Sequence, residues 1–310
     1  MSRGASTPAI SWSTEVAVVA REARGKWLVG GPPLAYLIVF FAIPCLLMLV
    51  ASVRAPGEFG GLAPLVGDGG RLNLSLASYA RFFGSAIYLQ LFASSLAYAL
   101  LTTALCLLIA YPVSMLIAAS DRRYRDLLLL LVILPFWSNF LIRVYAWMII
   151  LGPDWALARL VNGALGLVGA EPVTLMFSPF AVIVVLVYVH LPFMVLPLYA
   201  NLEKHDPALI DAAQDLGASP WQRFRHVTWP LSLPGVFAGA ALVFIPAFGI
   251  FAVPDLVGGT DGIMIGNVIK QQFLETRDWP FGSVLSIVLT VAALAVTGLA
   301  ALAARPRRGT

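Results

Sequence analysis

The sequence predicts an all-α polytopic membrane protein with six transmembrane helices, and three observations carry that reading. Of the 310 residues, 60% are apolar. Only 12% are charged, about half the share of an ordinary soluble domain. The apolar residues gather into six runs, each close to the length that crosses about 30 Å of hydrocarbon. A soluble core of this size would need a polar shell that 20 Lys and Arg with 16 Asp and Glu cannot supply, so a soluble globular enzyme is excluded. Cys45 and Cys106 both lie inside apolar runs, without the paired spacing of a disulfide framework or a zinc site.

The runs cover roughly Leu34–Val53, Leu91–Ala119, Leu127–Leu151, Phe180–Ala200, Leu231–Val253 and Val284–Ala304, and charges or Gly and Pro residues separate them. An even number of spans puts both termini on one side, and Lys and Arg mark the cytoplasmic side. With the N-terminus inside, the inner segments hold Arg3, Arg21, Arg24, Lys26, Arg122, Arg123, Arg125, Lys204, Arg223, Arg225, Arg305, Arg307 and Arg308, thirteen basic residues. The outer segments hold six: Arg54, Arg71, Arg81, Arg159, Lys270 and Arg277. Both termini are therefore expected in the cytoplasm, with a tail over residues 1–30, a transmembrane domain over 31–304 and a short tail over 305–310. Glu15, Arg21, Glu22 and Arg24 interrupt the first 26 residues, so no cleavable signal peptide is read there. Trp12–Trp27 fits an amphipathic surface helix or a disordered tail equally.

Pro44, Pro112, Pro135, Pro192 and Pro197 fall within the runs and predict kinks. Between the first two runs, Gly60, Gly61, Gly67, Gly69 and Gly70 predict a flexible loop, followed by a short amphipathic helix over Leu76–Phe83. Catalytic patterns are not found. There is no H-E-x-x-H helix and no G-x-S-x-G elbow, and His190, His205 and His226 are spread over a span and a loop. Lys26, Lys204 and Lys270 are followed by Trp, His and Gln rather than by the Ser or Thr of a phosphate-binding loop. The chain is thus expected to hold no catalytic residue, no metal and no cofactor, and not to hydrolyse ATP itself.

The connection between the fourth and fifth runs, Asn201–Trp229, is long for a link between adjacent membrane helices. Asp206-Pro207 supplies a helix cap followed by Pro at the first helical position, and Gly217 supplies the stop. Ser219-Pro220-Trp221-Gln222 is a capping-box pattern that opens a second short helix toward Val227.

The same loop carries a resemblance. Asp211-Ala212-Ala213, three residues, Gly217, nine residues, then Val227-Thr228-Trp229-Pro230 is similar to the EAA loop, Glu-Ala-Ala-x3-Gly-x9-Ile-x-Leu-Pro, of permease subunits of bacterial ABC importers. Asp211, Val227 and Trp229 stand where that pattern has Glu, Ile and Leu. Leu134 to Trp147 (LPFWSNFLIRVYAW) resembles the third span of spermidine/putrescine permeases. Pro254 to Gly259, with Gln272-Phe273 and Asp278-Trp279-Pro280, resembles their last outer loop. The resemblance implies the type I ABC importer permease fold in a bacterial inner membrane. It implies a second permease sharing the path, two ATP-binding subunits that hold ATP, and a periplasmic or lipid-anchored binding protein; lipid surrounds the chain and no nucleic acid is expected. The loop would then be a coupling helix that meets the ATPase through Asp211, Ala212, Ala213, Gly217, Trp221, Arg223, Phe224, Arg225 and Pro230. Leu216, Trp221 and Phe224 would form an apolar knob within a charged rim. The bland alternative is a helix lying on the membrane surface.

A polyamine's ammonium groups favour carboxylates and aromatic faces, and the spans hold no Asp or Glu well inside them. The lining is therefore expected from Phe136, Trp137, Asn139, Tyr145, Trp147, Phe248 and Phe251, with Asp255 at the outer mouth, although aromatics at helical spacing equally serve packing. Arg143 reads as a buried hydrogen-bonding anchor or as a gate, and His190 and Asn139 as packed and satisfied or as solute-binding. A stand-alone secondary transporter or channel is the rival reading. It would need ion-coupling carboxylates or an internal repeat, and the spans show neither.

Overall fold

The computed structural model describes residues 30–66, 70 and 72–303. The stretch Trp12–Trp27 and the expected C-terminal tail lie outside them. The described chain is helical apart from isolated bridges in the 54–74 loop, such as Arg54 with Leu74. Its helices are α1 (Gly30–Ser52), α2 (Ala77–Gly84), α3 (Ala86–Ala119), α4 (Arg122–Ile133), α5 (Phe140–Leu151), α6 (Ala156–Leu167), α7 (Pro179–Leu202), α8 (Pro207–Asp215), α9 (Pro220–Gly249), α10 (Ala252–Val257), α11 (Ile265–Leu274) and α12 (Trp279–Ala303). Leu202 and Pro220 lie at one end of the bundle, the loop end; Pro179 and Gly249 lie at the far end.

Among the described residues six segments are long and apolar enough to cross a membrane: α1, α3, α7, α9, α12 and Phe140–Leu167, which joins α5 and α6 and lies later than the expected third run. Their boundaries differ in places from the apolar runs. α3 starts at Ala86 rather than near Leu91 and is 34 residues long, roughly 51 Å at 1.5 Å per residue. α2 matches the expected short helix. The run Leu127–Leu151 is a crossing in two pieces. α4 packs Leu128, Leu129 and Val132 against Met194, Val195 and Tyr199 near the loop end of α7. α5 packs Val144 and Leu151 against Ala181, Val182 and Val185 near the far end. Between them Leu134–Trp137 is a 3-10 turn. Pro135 has no N–H to donate, and Asn139 accepts from Leu141 N at 2.8 Å to start a new helix.

The centre of the fold is the trio α3, α7 and α9, each packed on the other two. α7 is the most enclosed, whereas α1 is almost wholly exposed. Hydroxyls join these helices, as expected where water is absent. Ser114 Oγ donates to Val195 O at 3.2 Å, and Tyr111 OH lies 2.8 Å from Ser232 Oγ. α7 and α9 approach most closely at Gly235 and Gly239. A Cβ on Gly239 would lie 2.7 Å from Met194 Sδ and 3.1 Å from Met194 O, and one on Gly235 would lie 2.6 Å from Asn201 Cβ.

Gly239→Leu is expected to lower the thermal midpoint of the purified protein in detergent by roughly 5 °C, because overpacking costs about 1–3 kcal/mol. Gly298→Leu, on an open stretch of α12, should leave the midpoint unchanged. Equal midpoints for the two variants, read by scanning fluorimetry, would show that the α7–α9 seam tolerates bulk.

Candidate functional site

At the loop end, α7 runs on to Leu202 and α9 already begins at Pro220, so the connection expected over Asn201–Trp229 shortens to residues 203–219 around α8. Asp206 Oδ1 accepts from Ala208 N at 3.0 Å and Pro207 occupies the first turn. At the other end of α8, Gly217 N donates to Gln214 O at 2.8 Å and Ala218 N to Ala213 O at 3.0 Å, the paired bonds of a Schellman cap. Gly217 has φ +78°, and a Cβ there would meet nothing within 4 Å. Backbone conformation, not crowding, is the reason for glycine at this position.

The second loop helix does not stop near Val227. Ser219 and Gln222 close their capping box, with Ser219 N donating to Gln222 Oε1 at 2.8 Å. The chain then winds through a π-helical turn, Phe224–Thr228, directly into the fifth span. Pro230 lies two residues past that turn, and Arg223 Nη1 ties the two loop helices by donating to Gln214 Oε1 at 2.9 Å. On the surface, Asp211, Ala212 and Arg225 are exposed and Ala213 half-buried. Leu216 and Trp221 are 88% and 65% exposed. Phe224 stacks beneath Trp221 rather than standing exposed with it. It turns inward and packs with Trp229 against Tyr111, Leu198, Leu202 and Val236, so it anchors the loop to the spans. Nearby, Arg125 Nη1 donates to Glu203 Oε1 at 2.7 Å. The Tyr199 hydroxyl and the Arg125 guanidinium hold the Glu203 carboxyl below the ordinary carboxylate range. This clamp therefore persists at neutral pH and opens as the pH falls through that lowered value.

The expected path residues divide into four places. Phe136, Trp137 and Asn139 meet at the break in the third crossing. The Phe136 ring lies edge-on to Phe193 at 5.0 Å, and Trp137 is exposed. Tyr145 is exposed on α5, while Trp147 packs edge-on against Tyr188 at 5.5 Å. Trp147 also borders the cluster that holds Val253 and Val257 of α10, which brings α5 and α10 together. Phe248 is corrected: it is fully buried between Phe92 and Phe244, at 5.4 and 5.6 Å, and serves packing.

Phe251 is exposed at the corner between α9 and α10, with its carbonyl accepting from Asp255 N and Asn267 Nδ2, each at 3.0 Å. Asp255 is not an open carboxylate. Lys270 Nζ donates to it at 2.7 Å, and Asn267 Nδ2 also donates to it. The Lys270 ammonium lies 5.8 Å from the centre of the Phe251 ring, and Asp255 beside it raises its pKa. The sequence reading missed Asn267 and Lys270 as partners. Their spacing of three residues on one helix was the available signal, because it puts both on one face.

Arg143 is also corrected. Its side chain makes no hydrogen bond among the described residues, its Nε and Nη1 are buried without a partner there, and its guanidinium lies 4.9 Å from the centre of the Phe136 ring. His190 Nδ1 lies 2.8 Å from Leu186 O, a bond within its own helix.

The family model described as "Binding-protein-dependent transport system inner membrane component" matches residues 110–308. The chain is 42% identical over 260 residues to the spermidine/putrescine transport system permease protein PotB of Haemophilus influenzae, covering 83% of this chain and 86% of that one. It is 42% identical over 256 residues to PotB of Escherichia coli, covering 83% of this chain and 89% of that one. In three dimensions it is similar to a chain of a bacterial ABC transporter involved in import of the acidic polysaccharide alginate. The TM-score is 0.67 at 18% identity, over 94% of this chain and 99% of that one, a likeness of fold alone.

Gly217→Val is expected to speed hydrogen exchange of the α8 amides about fivefold, because a β-carbon in the left-handed region costs about 1 kcal/mol or more. Gly217→Asn, which tolerates that region, should exchange close to wild type. Identical exchange in both variants would show that the cap does not hold α8.

Proposed function

The chain belongs to the binding-protein-dependent transport system inner membrane components, and from that premise we propose that it is the permease subunit of an ABC importer for spermidine, putrescine or a related small cation. A second permease completes the path, two ATP-binding subunits hold the ATP, and a periplasmic or lipid-anchored binding protein delivers the solute. The loop end faces the cytoplasm, together with both termini, and the far end faces the binding protein. The distribution of basic residues supports that orientation, with thirteen on the loop side and six on the other.

The observation that carries the proposal is the 203–219 connection. A helix capped at both ends presents Asp211-Ala212-Ala213, and Leu216 and Trp221 stand exposed beside Arg225. A doubly capped helix pair tied by Arg223 and rooted through Phe224 is a rigid contact for another protein, and its exposed apolar centre with a charged edge matches interface anatomy. The names of the 42%-identical relatives support a polyamine as solute. So do the exposed rings of Trp137 and Tyr145, which offer a cation faces without deep carboxylate wells, whereas Phe136 and Phe251 already have Arg143 and Lys270 beside them.

Proteoliposomes holding the four-subunit complex and supplied with the binding protein are expected to take up radiolabelled putrescine or spermidine only with ATP present. Uptake without ATP, or no uptake of either amine, would overturn the reading. Orientation has its own check once Cys45 and Cys106 are replaced. Asp215→Cys should react with a membrane-impermeant thiol reagent only in inside-out vesicles, and Glu58→Cys only in intact spheroplasts. The opposite pattern would place the loop outside.

A further inference from the structure

Two yielding points in the bundle face each other at Tyr111. This residue lies in α3 directly before Pro112, which leaves the carbonyl of residue 108 without its helical donor. Opposite it, α9 winds through the π-helical turn Phe224–Thr228, a rare geometry found mostly as single turns and frequently at functional sites. Aromatic rings fill the space between. Trp221 stacks on Phe224 at 5.4 Å and 25°, Phe224 meets Tyr111 edge-on at 5.5 Å and 84°, and Tyr111 lies 5.3 Å from Trp229. Ser232 Oγ donates to Trp229 O at 2.9 Å, so the Tyr111 hydroxyl donates to Ser232 Oγ. Trp221 is 65% exposed and Tyr111 is 7% exposed, so the rings run from the surface of the loop into the interior. A groove of about 460 Å3 beside Leu108, Pro112, Phe224 and Trp229 leaves the rings room to shift.

We propose that Tyr111 is a positioning residue for coupling: the Trp221–Phe224–Tyr111 contact carries a displacement of the loop into α3 and α9 together. The inference rests on the loop being the coupling element of the proposed importer. Rings in contact hardly compress, so a push on Trp221 passes to Phe224 and from there to Tyr111, while the groove gives the set room to move together. The two helices yield where they are weakest, at Pro112 and at the π turn, while the glycine seam at Gly235 and Gly239 keeps α9 against α7. The other polar links at this end do not serve the same purpose. Arg223–Gln214 joins the first turn of α9 to α8, and Arg125–Glu203 joins the start of α4 to the end of α7.

The test uses the reconstituted complex with its ATPase subunits and loaded binding protein, and reads uptake and ATP hydrolysis in the same vesicles. Tyr111→Leu is expected to lower the solute moved per ATP about tenfold, with basal hydrolysis and ATPase pull-down close to wild type. Tyr111→Phe, which keeps the ring and loses the hydroxyl, should hold the ratio within about twofold of wild type. Phe224→Leu should reproduce the loss, and it serves as the decisive variant if Tyr111→Leu does not assemble. The double variant should be no worse than either single one, because both break the same contact. An unchanged ratio in Tyr111→Leu, an equal loss in Tyr111→Phe, or additive losses in the double variant would overturn the relay. A wild-type complex that hydrolyses ATP without moving solute would instead count against the importer reading, which separates the two failures.

Discussion

The close approach of α7 and α9 at Gly235 and Gly239 is the constraint on which the rest of the molecule depends. In a bilayer, apolar side chains gain little by leaving lipid for protein, so association needs surfaces that fit closely and polar groups that bond across them. Glycine lets the two backbones meet where any side chain would collide with Met194 or Asn201. Ser114 and Tyr111 then bond α3 to the same pair. Both arms of the loop-end connection leave from this seam, one from the end of α7 and the other from the start of α9. The position of α8 is therefore set by two helices that cannot slide past one another.

Outside that trio, further yielding parts stand out by their chemistry. Pro135 ends α4 in mid-crossing and Asn139 restarts the chain as α5. The backbone groups at this break need partners that hydrocarbon does not provide. Phe136 and Phe193 pack beside the break, and Trp137 stands exposed at it. The corner between α9 and α10 is built on the same principle. There the freed Phe251 carbonyl is satisfied by Asn267 and by the amide of Asp255. Irregular backbone at membrane depth thus occurs where other parts of the protein, rather than lipid alone, surround it.

Features governed by local chemistry were legible in the sequence, and features that arise from pairing across distance were not. Asp206-Pro207, Gly217 and the Ser219–Gln222 box each act within a few residues, and all three form as read. The direction of Phe224 was not legible. Its neighbours in sequence suggested a surface knob, but its fate is set by Tyr111, more than a hundred residues earlier, and by the π turn that rotates it inward. Phe248 was misjudged for the same reason, since an aromatic ring on a span looks alike whether it faces Phe92 or a path. Asp255 could be read as an acid at a helix end but not as one neutralised by Lys270, because the Gly258–Gly262 turn that folds α11 back over α10 leaves no periodic trace.

Solute charge is not written into this fold, since a chain of the same architecture belongs to a transporter involved in import of an acidic polysaccharide. The side chains must make that choice, and here they make it shallowly. On the proposed reading a cation meets aromatic faces, worth roughly 0.5–2 kcal/mol each, and a far-end carboxylate already engaged by Lys270. On that reading the Arg143 guanidinium, without a side-chain hydrogen bond among the described residues and beside Phe136, adds positive charge near the break and works against a cation resting there. Such a lining is poor at holding an ammonium ion and good at letting it pass. Tight recognition then belongs to the protein that delivers the solute, and direction to the ATP-driven movement of the loop. This division explains why a permease for a cation can dispense with carboxylates in its spans.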